Sequence, residues 1–277
     1  MIIILIIIII IIILYNCNSC ENFTDTNVKP YLWQYWDNID NNETPGYIQL
    51  CMETVDINCK NSFTIVRLNK DNIKDYLPEI VDYNLDNLII AHKVDLYRIM
   101  LLYKYGGLYM DADIVVLRDP IEIMAKLNTW DFIGFGCTPY ICKDGYSKPS
   151  NWMLGSRPNT TLMKNILDNI KNKLANDIQN YHAIGKYVIW EELDKLIENN
   201  YSYYQYPSTI DGTRDINGHW VASSRAFSDE KIVYDDEDNM MFFIIYNTGI
   251  PDYIKQMTIS ELLSKNYNFT RFIKKTL

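Results

Sequence analysis

The chain has 277 residues, 48% hydrophobic and 22% charged, which suits one large folded domain and excludes a disordered chain, a collagen or a coiled coil. A formal net charge of −9 is a poor basis for gripping a phosphate backbone, so no nucleic-acid partner is expected. The 22 Tyr and 6 Trp supply many flat faces with a polar edge, although most of this surplus follows a composition that also favours Ile, Asn and Lys.

In chain order, residues 1–14 are nearly pure Ile and Leu. As a helix this run would be about 21 Å long, short of a bilayer core of about 30 Å. The length fits the apolar region of a signal peptide, cleaved or kept as an anchor. Residues 1–20 are therefore expected to carry the chain into the secretory lumen, as a type II membrane protein or as a secreted one. Residues 21–30 read as a polar stalk, and residues 31–277 as a single domain. The six cysteines, Cys17, Cys20, Cys51, Cys59, Cys137 and Cys142, fall in three close pairs that suit local disulfides, although fifteen pairings are open. Sequons at Asn22, Asn42, Asn159, Asn200 and Asn268 give weak support to the same route.

From Tyr31 onward, strand and helix signals alternate. Strands are expected at 31–36, 62–68, 108–117, 131–135, 151–154, 203–206 and 241–246. Helices are expected at 45–58, 89–105, 160–174, 184–198, 258–265 and 269–275. This alternation predicts an α/β mixed sheet flanked by helices, with a helical C-terminal part. The acidic run 235–238 reads as a solvated loop.

The informative stretch is 91–120, AHKVDLYRIMLLYKYGGLYMDADIVVLRDP. Asp95 and Arg98 lie three apart on one helix and share a face, with His92 close to it. On their own they read as a surface ion pair, but on an apolar helix they should point at something specific. Gly106 and Gly107 stop the helix in a tight turn. In the strand that follows, Tyr109, Asp111 and Asp113 alternate and should project from one face. Two carboxylates about 7 Å apart repel unless neutralised. A divalent cation neutralises them, and Mg²⁺ or Mn²⁺ prefers oxygen ligands shared with phosphates. The pattern therefore points to a metal–diphosphate.

The residues Asp95, Arg98, Tyr109, Asp111 and Asp113 stand at the spacing of a known donor-binding core. The stretch resembles the DXD-containing glycosyltransferases of the GT-A type. It most resembles the group of the initiating α-mannosyltransferases, the capsular polysaccharide synthesis transferases and the clostridial glucosylating toxin catalytic domains (glycosyltransferase family 32-like). The strong likeness covers about thirty residues. A weaker one runs from Trp33-Gln34-Tyr35-Trp36 to about Pro158. Val94 departs from the pattern, where many members carry Ser.

The resemblance implies a GT-A Rossmann-like fold and a metal-dependent, retaining transfer of a sugar. The donor would be a UDP- or GDP-sugar, the acceptor a glycan, glycoprotein or polysaccharide, and the cofactor Mn²⁺ or Mg²⁺. Asp95 and Arg98 would hold donor-sugar hydroxyls. Tyr109 would lie by the nucleoside, and Trp36 would stack on the base. Asp111 would touch ribose or sugar, and Asp113 would bind the metal with Asp111 beside it. Asn151 would approach the donor. Asp111, Asp113 and Arg98 would thus carry the catalysis. The family closes its site with a C-terminal loop, for which 215–220 is one candidate, with His219 or Asp215 as a further metal ligand and Trp220 as a cap. Tyr246-Asn247-Thr248 is the other candidate.

Two rival readings use the same residues. A haloacid-dehalogenase-like phosphatase also places Asp-x-Asp at a strand end, with Asp235-Asp236 posing as its second acidic pair. A membrane-anchored protein that binds a nucleotide sugar or a glycan without turning it over is the other.

Overall fold

The computed structural model describes residues 28–38, 43–83, 85–136, 148–175, 181–195 and 202–277. The hydrophobic run, Cys17, Cys20, Cys137, Cys142 and the sequons at Asn22, Asn42 and Asn200 lie outside them. Among the described residues no helix is long and apolar enough to cross a membrane.

The strands are β1 (Tyr31–Tyr35), β2 (Thr64–Leu68), β3 (Gly107–Met110), β4 (Ile114–Val116), β5 (Phe132–Gly136), β6 (Ser150–Ser156), β7 (Tyr203–Pro207) and β8 (Phe242–Ile244). Six of them form one sheet in the order β2-β1-β3-β6-β5-β7, and β4 and β8 form a separate antiparallel pair. Within the large sheet β1 runs parallel to β2 and β3, and β5 parallel to β7. Only β6 opposes its neighbours, β3 and β5. The sheet is thus mixed, as expected.

The main helices are α1 (Gly46–Cys59), α2 (Ile90–Tyr105), α3 (Thr161–Leu174), α4 (Lys186–Leu193), α5 (Ile259–Ser264) and α6 (Asn268–Thr276). Side chains alternate across a strand, and the core divides accordingly. Trp33, Tyr35, Tyr109, Phe132 and Leu154 face one side and pack with α2, α3 and α4. Leu32, Leu108, Met110, Ile133 and Met153 face the other, with Val55 and Cys59 of α1. A further core joins α1 to β4, β8 and the C-terminal helices α5 and α6. With both faces covered, the central strands are apolar almost throughout.

Three expectations change. The stretch 108–117 is two strands: it leaves the large sheet after Met110, turns through Asp111–Asp113, and re-forms as β4 against β8. Aspartate is poorly suited to a strand interior. Asp111 still donates its N–H to the Trp152 carbonyl oxygen, but Asp113 is already bound to the β8 side through its own carbonyl, which accepts from Ile245 N. Tyr109, Asp111 and Asp113 therefore do not share one strand face.

Cys51 and Cys59 are free buried thiols. Eight residues on a helix separate them by about 12 Å, beyond disulfide reach, and they enter different cores. The sequon at Asn268 is also closed: its side chain is buried and donates to the carbonyl oxygens of Arg225, Ser228 and Glu230.

The turn between α2 and β3 needs glycine. Gly106 and Gly107 have φ of 67° and 98°, and a Cβ on Gly107 would run into the Tyr31 carbonyl oxygen. Trp33 Nε1 donates to the Gly106 carbonyl at 2.9 Å and ties the turn to β1. This fixes the end of α2 over the sheet face that carries Tyr109.

Candidate active site at the ends of β1 and β3

In an open α/β sheet, ligands bind beyond the carboxyl ends of the strands where the strand order reverses. Here β1 has β2 on one side and β3 on the other, so the reversal lies between β1 and β3. Trp36 follows β1 and Asp111 follows β3. The antiparallel β6 brings its first residues, Ser150 and Asn151, to the same end. Residues 36, 111 and 151 thus arrive together by topology.

Helix α2 supplies Asp95 and Arg98. They do not form a surface pair; both are buried. Arg98 Nη2 lies 3.3 Å from Asp95 Oδ1 and 3.2 Å from Asp111 Oδ1, so one guanidinium bridges both motifs. Its carbon sits 4.8 Å from the Tyr109 ring centroid. Asn151 Nδ2 donates to Asp95 Oδ1 at 2.7 Å. Tyr109 itself is fully buried. It offers no open face for a nucleoside, and its ring instead supports Arg98. Two polar atoms here are buried with no hydrogen-bond partner: Arg98 Nη1 and the Tyr109 hydroxyl. Such atoms are costly unless a ligand satisfies them.

The electrostatics are unbalanced. Burial pushes the Asp111 carboxyl up to about 7; Arg98 opposes the shift, while Asp113 and Asp95 add to it. Burial also raises Asp113, against hydrogen bonds from the Asn247 N–H and its own N–H and the pull of Arg98. Burial raises Asp95 too, and Arg98, His92 and Asn151 lower it. Asp95 and Asp111 contact the Arg98 guanidinium and Asp113 follows two residues on, so these three carboxylates and one guanidinium leave two negative charges when all are ionised. One divalent cation matches that deficit. The fit is to a cation of the Mg²⁺ or Mn²⁺ kind held by Asp113 and Asp111. Among the described residues no group of three or more His, Cys, Asp or Glu side chains is arranged to hold a metal ion, so its other oxygens would come from water and phosphate.

The C-terminal segments divide the roles expected of one loop. Asn247 N donates to Asp113 Oδ2 at 2.6 Å, and the Tyr47 hydroxyl of α1 donates to Asn247 Oδ1. The 246–248 candidate therefore touches the motif. The 215–220 candidate reaches it only through stacking: Trp220 lies 4.5 Å from the Tyr246 ring, with Arg214 5.0 Å from the Trp220 ring. His219 is not brought to Asp113. Its side chain is 74% exposed, with Nδ1 3.7 Å from Asp215 Oδ2. Asp215 is occupied by Arg225 at 2.7 Å and by the N–H groups of Asn217 and His219, which turn the loop. Neither side chain contacts Asp111 or Asp113 in this arrangement. Trp36 is half-buried at the rim, its Nε1 donating to Asn38 Oδ1 at 2.8 Å.

Two further residues enter the site without a sequence signal. A Cβ on Gly185 would collide with Asp95 Oδ2 and stand 2.7 Å from Asn151 Nδ2, so the start of α4 presses on that pair. Tyr181 packs against the first turn of α2, its ring 6.2 Å from that of His92, and its phenol is raised by burial first and then by the charges of Asp95, Asp111 and Asp113, against Arg98.

The sequence pattern of the capsular polysaccharide synthesis protein family matches residues 10–262. The chain belongs to that family. This capsular polysaccharide synthesis family member is also similar to an uncharacterized glycosyltransferase, L373, of Acanthamoeba polyphaga mimivirus, at 27% identity over 183 residues, 63% of this chain. The match covers 66% of that relative, just under two thirds of its length. Among solved structures, the family member is similar to the bifunctional glycosyltransferase WbbM in its apo form at a TM-score of 0.46 and 8% identity, covering 91% of this chain and 52% of that one. The glycosyltransferase GlyE of Streptococcus pneumoniae TIGR4 gives 0.45 and 12%, covering 86% and 63%.

Proposed function

We propose that the chain is a metal-dependent glycosyltransferase that moves a sugar, with retention, from a UDP- or GDP-sugar to a glycan, glycoprotein or polysaccharide acceptor. The observation that carries this reading is the single Arg98 guanidinium shared by Asp95 and Asp111, with a buried Nη1 left for a ligand. Family membership supports sugar transfer in general, and the charge deficit supports the metal.

Asp95, oriented by Asn151, would accept hydrogen bonds from donor-sugar hydroxyls, and Arg98 Nη1 would donate to an oxygen of the donor. Asp113, with Asp111, would hold the cation, which supplies electrostatic stabilisation to the leaving diphosphate. Arg98 adds a fixed positive charge to the same region without reorganising. Trp36 stands at the β1 end as a face for the base, and Trp220 beside Tyr246 as a cap. The acceptor hydroxyl would enter on the leaving-group face, so positioning rather than a protein nucleophile would carry retention.

The phosphatase reading loses its second acidic pair. Asp235 and Asp236 are exposed, and they join no acidic cluster among the described residues. Residues 31–277 are proposed as the transferase unit. The apolar run at 1–14 supports entry to the secretory lumen, as an anchor or a cleaved signal. The test of function is donor hydrolysis by the purified chain across UDP- and GDP-sugars, with and without Mn²⁺. Release of nucleoside diphosphate and free sugar only with metal supports the reading; metal-dependent donor binding without turnover favours the binding-only alternative.

A further inference from the structure

His92 and Tyr181 lie beside the motifs without belonging to them. His92 is buried in the first turn of α2, and its Nε2 is 3.1 Å from the Tyr181 carbonyl oxygen. Their ring centroids are 6.2 Å apart, and the His182 ring packs edge-on to Tyr181 at 5.0 Å. Four residues on, Gly185 presses against Asp95 and Asn151. The segment is therefore held at both ends against α2, by His92 at Tyr181 and by the Asp95–Asn151 pair at Gly185.

Held in this way, Tyr181 stays 50% exposed while Asp95 and Arg98 beside it are buried. Covering this exposed aromatic face with the apolar face of a ligand would be favourable. The ring offers an apolar face with a hydroxyl edge, on a segment packed against His92 at one end and against Asp95 and Asn151 at the other. A hexose has the matching duality, with an apolar C–H face and a rim of hydroxyls.

We propose that Tyr181 is a donor-sugar contact whose ring covers the apolar face of the transferred hexosyl group while Asp95 and Arg98 take its hydroxyls. This rests on the transferase reading above. It adds that the α2–α4 side of the site recognises sugar, whereas the β1 end, with Trp36, recognises nucleoside. Tyr181 then discriminates between donor and free nucleoside diphosphate, which no purely structural role would do.

The experiment measures two constants on the full chain: donor KM, and the inhibition constant of the matching free UDP or GDP. Tyr181→Ala should raise donor KM about tenfold and leave the nucleotide constant within about twofold. Tyr181→Phe keeps the ring and should restore donor KM. A thermal midpoint unchanged in both variants confirms that the half-exposed side chain is not holding the fold. A Tyr181→Ala protein in which both constants move together, or neither moves, overturns the inference. A wild-type protein that binds no nucleotide sugar overturns the transferase reading itself, a different and separately visible result.

Discussion

The backbone N–H of Asn247 donates to Asp113 Oδ2 at 2.6 Å across 134 positions of sequence. It joins the acidic turn after β3 to the segment that follows β8. The Tyr47 hydroxyl holds Asn247 from the other side. Tyr47→Phe should therefore loosen the Asn247 segment without emptying the core. The expected result is a several-fold higher concentration of Mn²⁺ for half-maximal activity and a stability loss of about 1 kcal/mol. A metal titration and a denaturant melt check both.

Arg98 pairs with the buried Asp95 carboxylate and with the half-buried Asp111 carboxylate. Removing one partner of a buried pair leaves the other uncompensated, at about 3–5 kcal/mol. Arg98→Met should lose stability on that scale and all transfer. Arg98→Lys should keep more of the stability but not the activity, because an ammonium cannot bridge both carboxylates as the planar fork does. Urea unfolding of the three proteins separates these effects.

Gly185→Ala tests the contact of α4 with the donor-facing pair. The added methyl would collide with Asp95 Oδ2. Donor KM should rise at least about tenfold as the Asp95–Asn151 hydrogen bond is displaced. A variant with wild-type KM would show that Asp95 is not held by this contact.

Asp215 is predicted to be a structural tie rather than a metal ligand. Burial alone would raise its carboxyl, but the Arg225 guanidinium and the N–H groups of His219 and Asn217 outweigh it and hold it below the usual range. A depressed carboxylate contributes stability above its unfolded pKa, and that stability is lost as pH falls through the folded value. Asp215→Asn should thus be less stable than wild type at pH 7, by about 1–2 kcal/mol. The difference should close below about pH 4. Mn²⁺ dependence should not change.

Much of the site was legible because it is local. Asp95 and Arg98 sit three apart on one helix, Gly106-Gly107 marks its end, and the β3 motif follows at once. The error at 108–117 has a physical cause: alternation of Tyr109, Asp111 and Asp113 has the period of a strand, but no periodicity shows that the partner strand changes from β6 to β8 at Asp111. Tyr181 and Gly185 were hidden for another reason, and Asn247 was legible only as part of a candidate loop, without its contact to Asp113. Their roles depend on backbone contacts with residues from 34 to 134 positions away, and neither a backbone N–H nor a missing Cβ leaves a motif. His219 is a different case. A lone imidazole near a tryptophan resembled a ligand, yet the same loop's hydrogen bonds to Asp215 turn it outward.

The central claim is that Asp111 and Asp113 hold a divalent cation that the donor diphosphate shares. The most direct measurement is calorimetric binding of Mn²⁺ to wild type and to Asp113→Asn, with and without UDP or GDP. The account predicts one Mn²⁺ bound by wild type, more tightly with nucleoside diphosphate present, and at least about a hundredfold weaker binding in Asp113→Asn with the fold intact. Equal Mn²⁺ binding by the two proteins, or binding indifferent to the diphosphate, would contradict it.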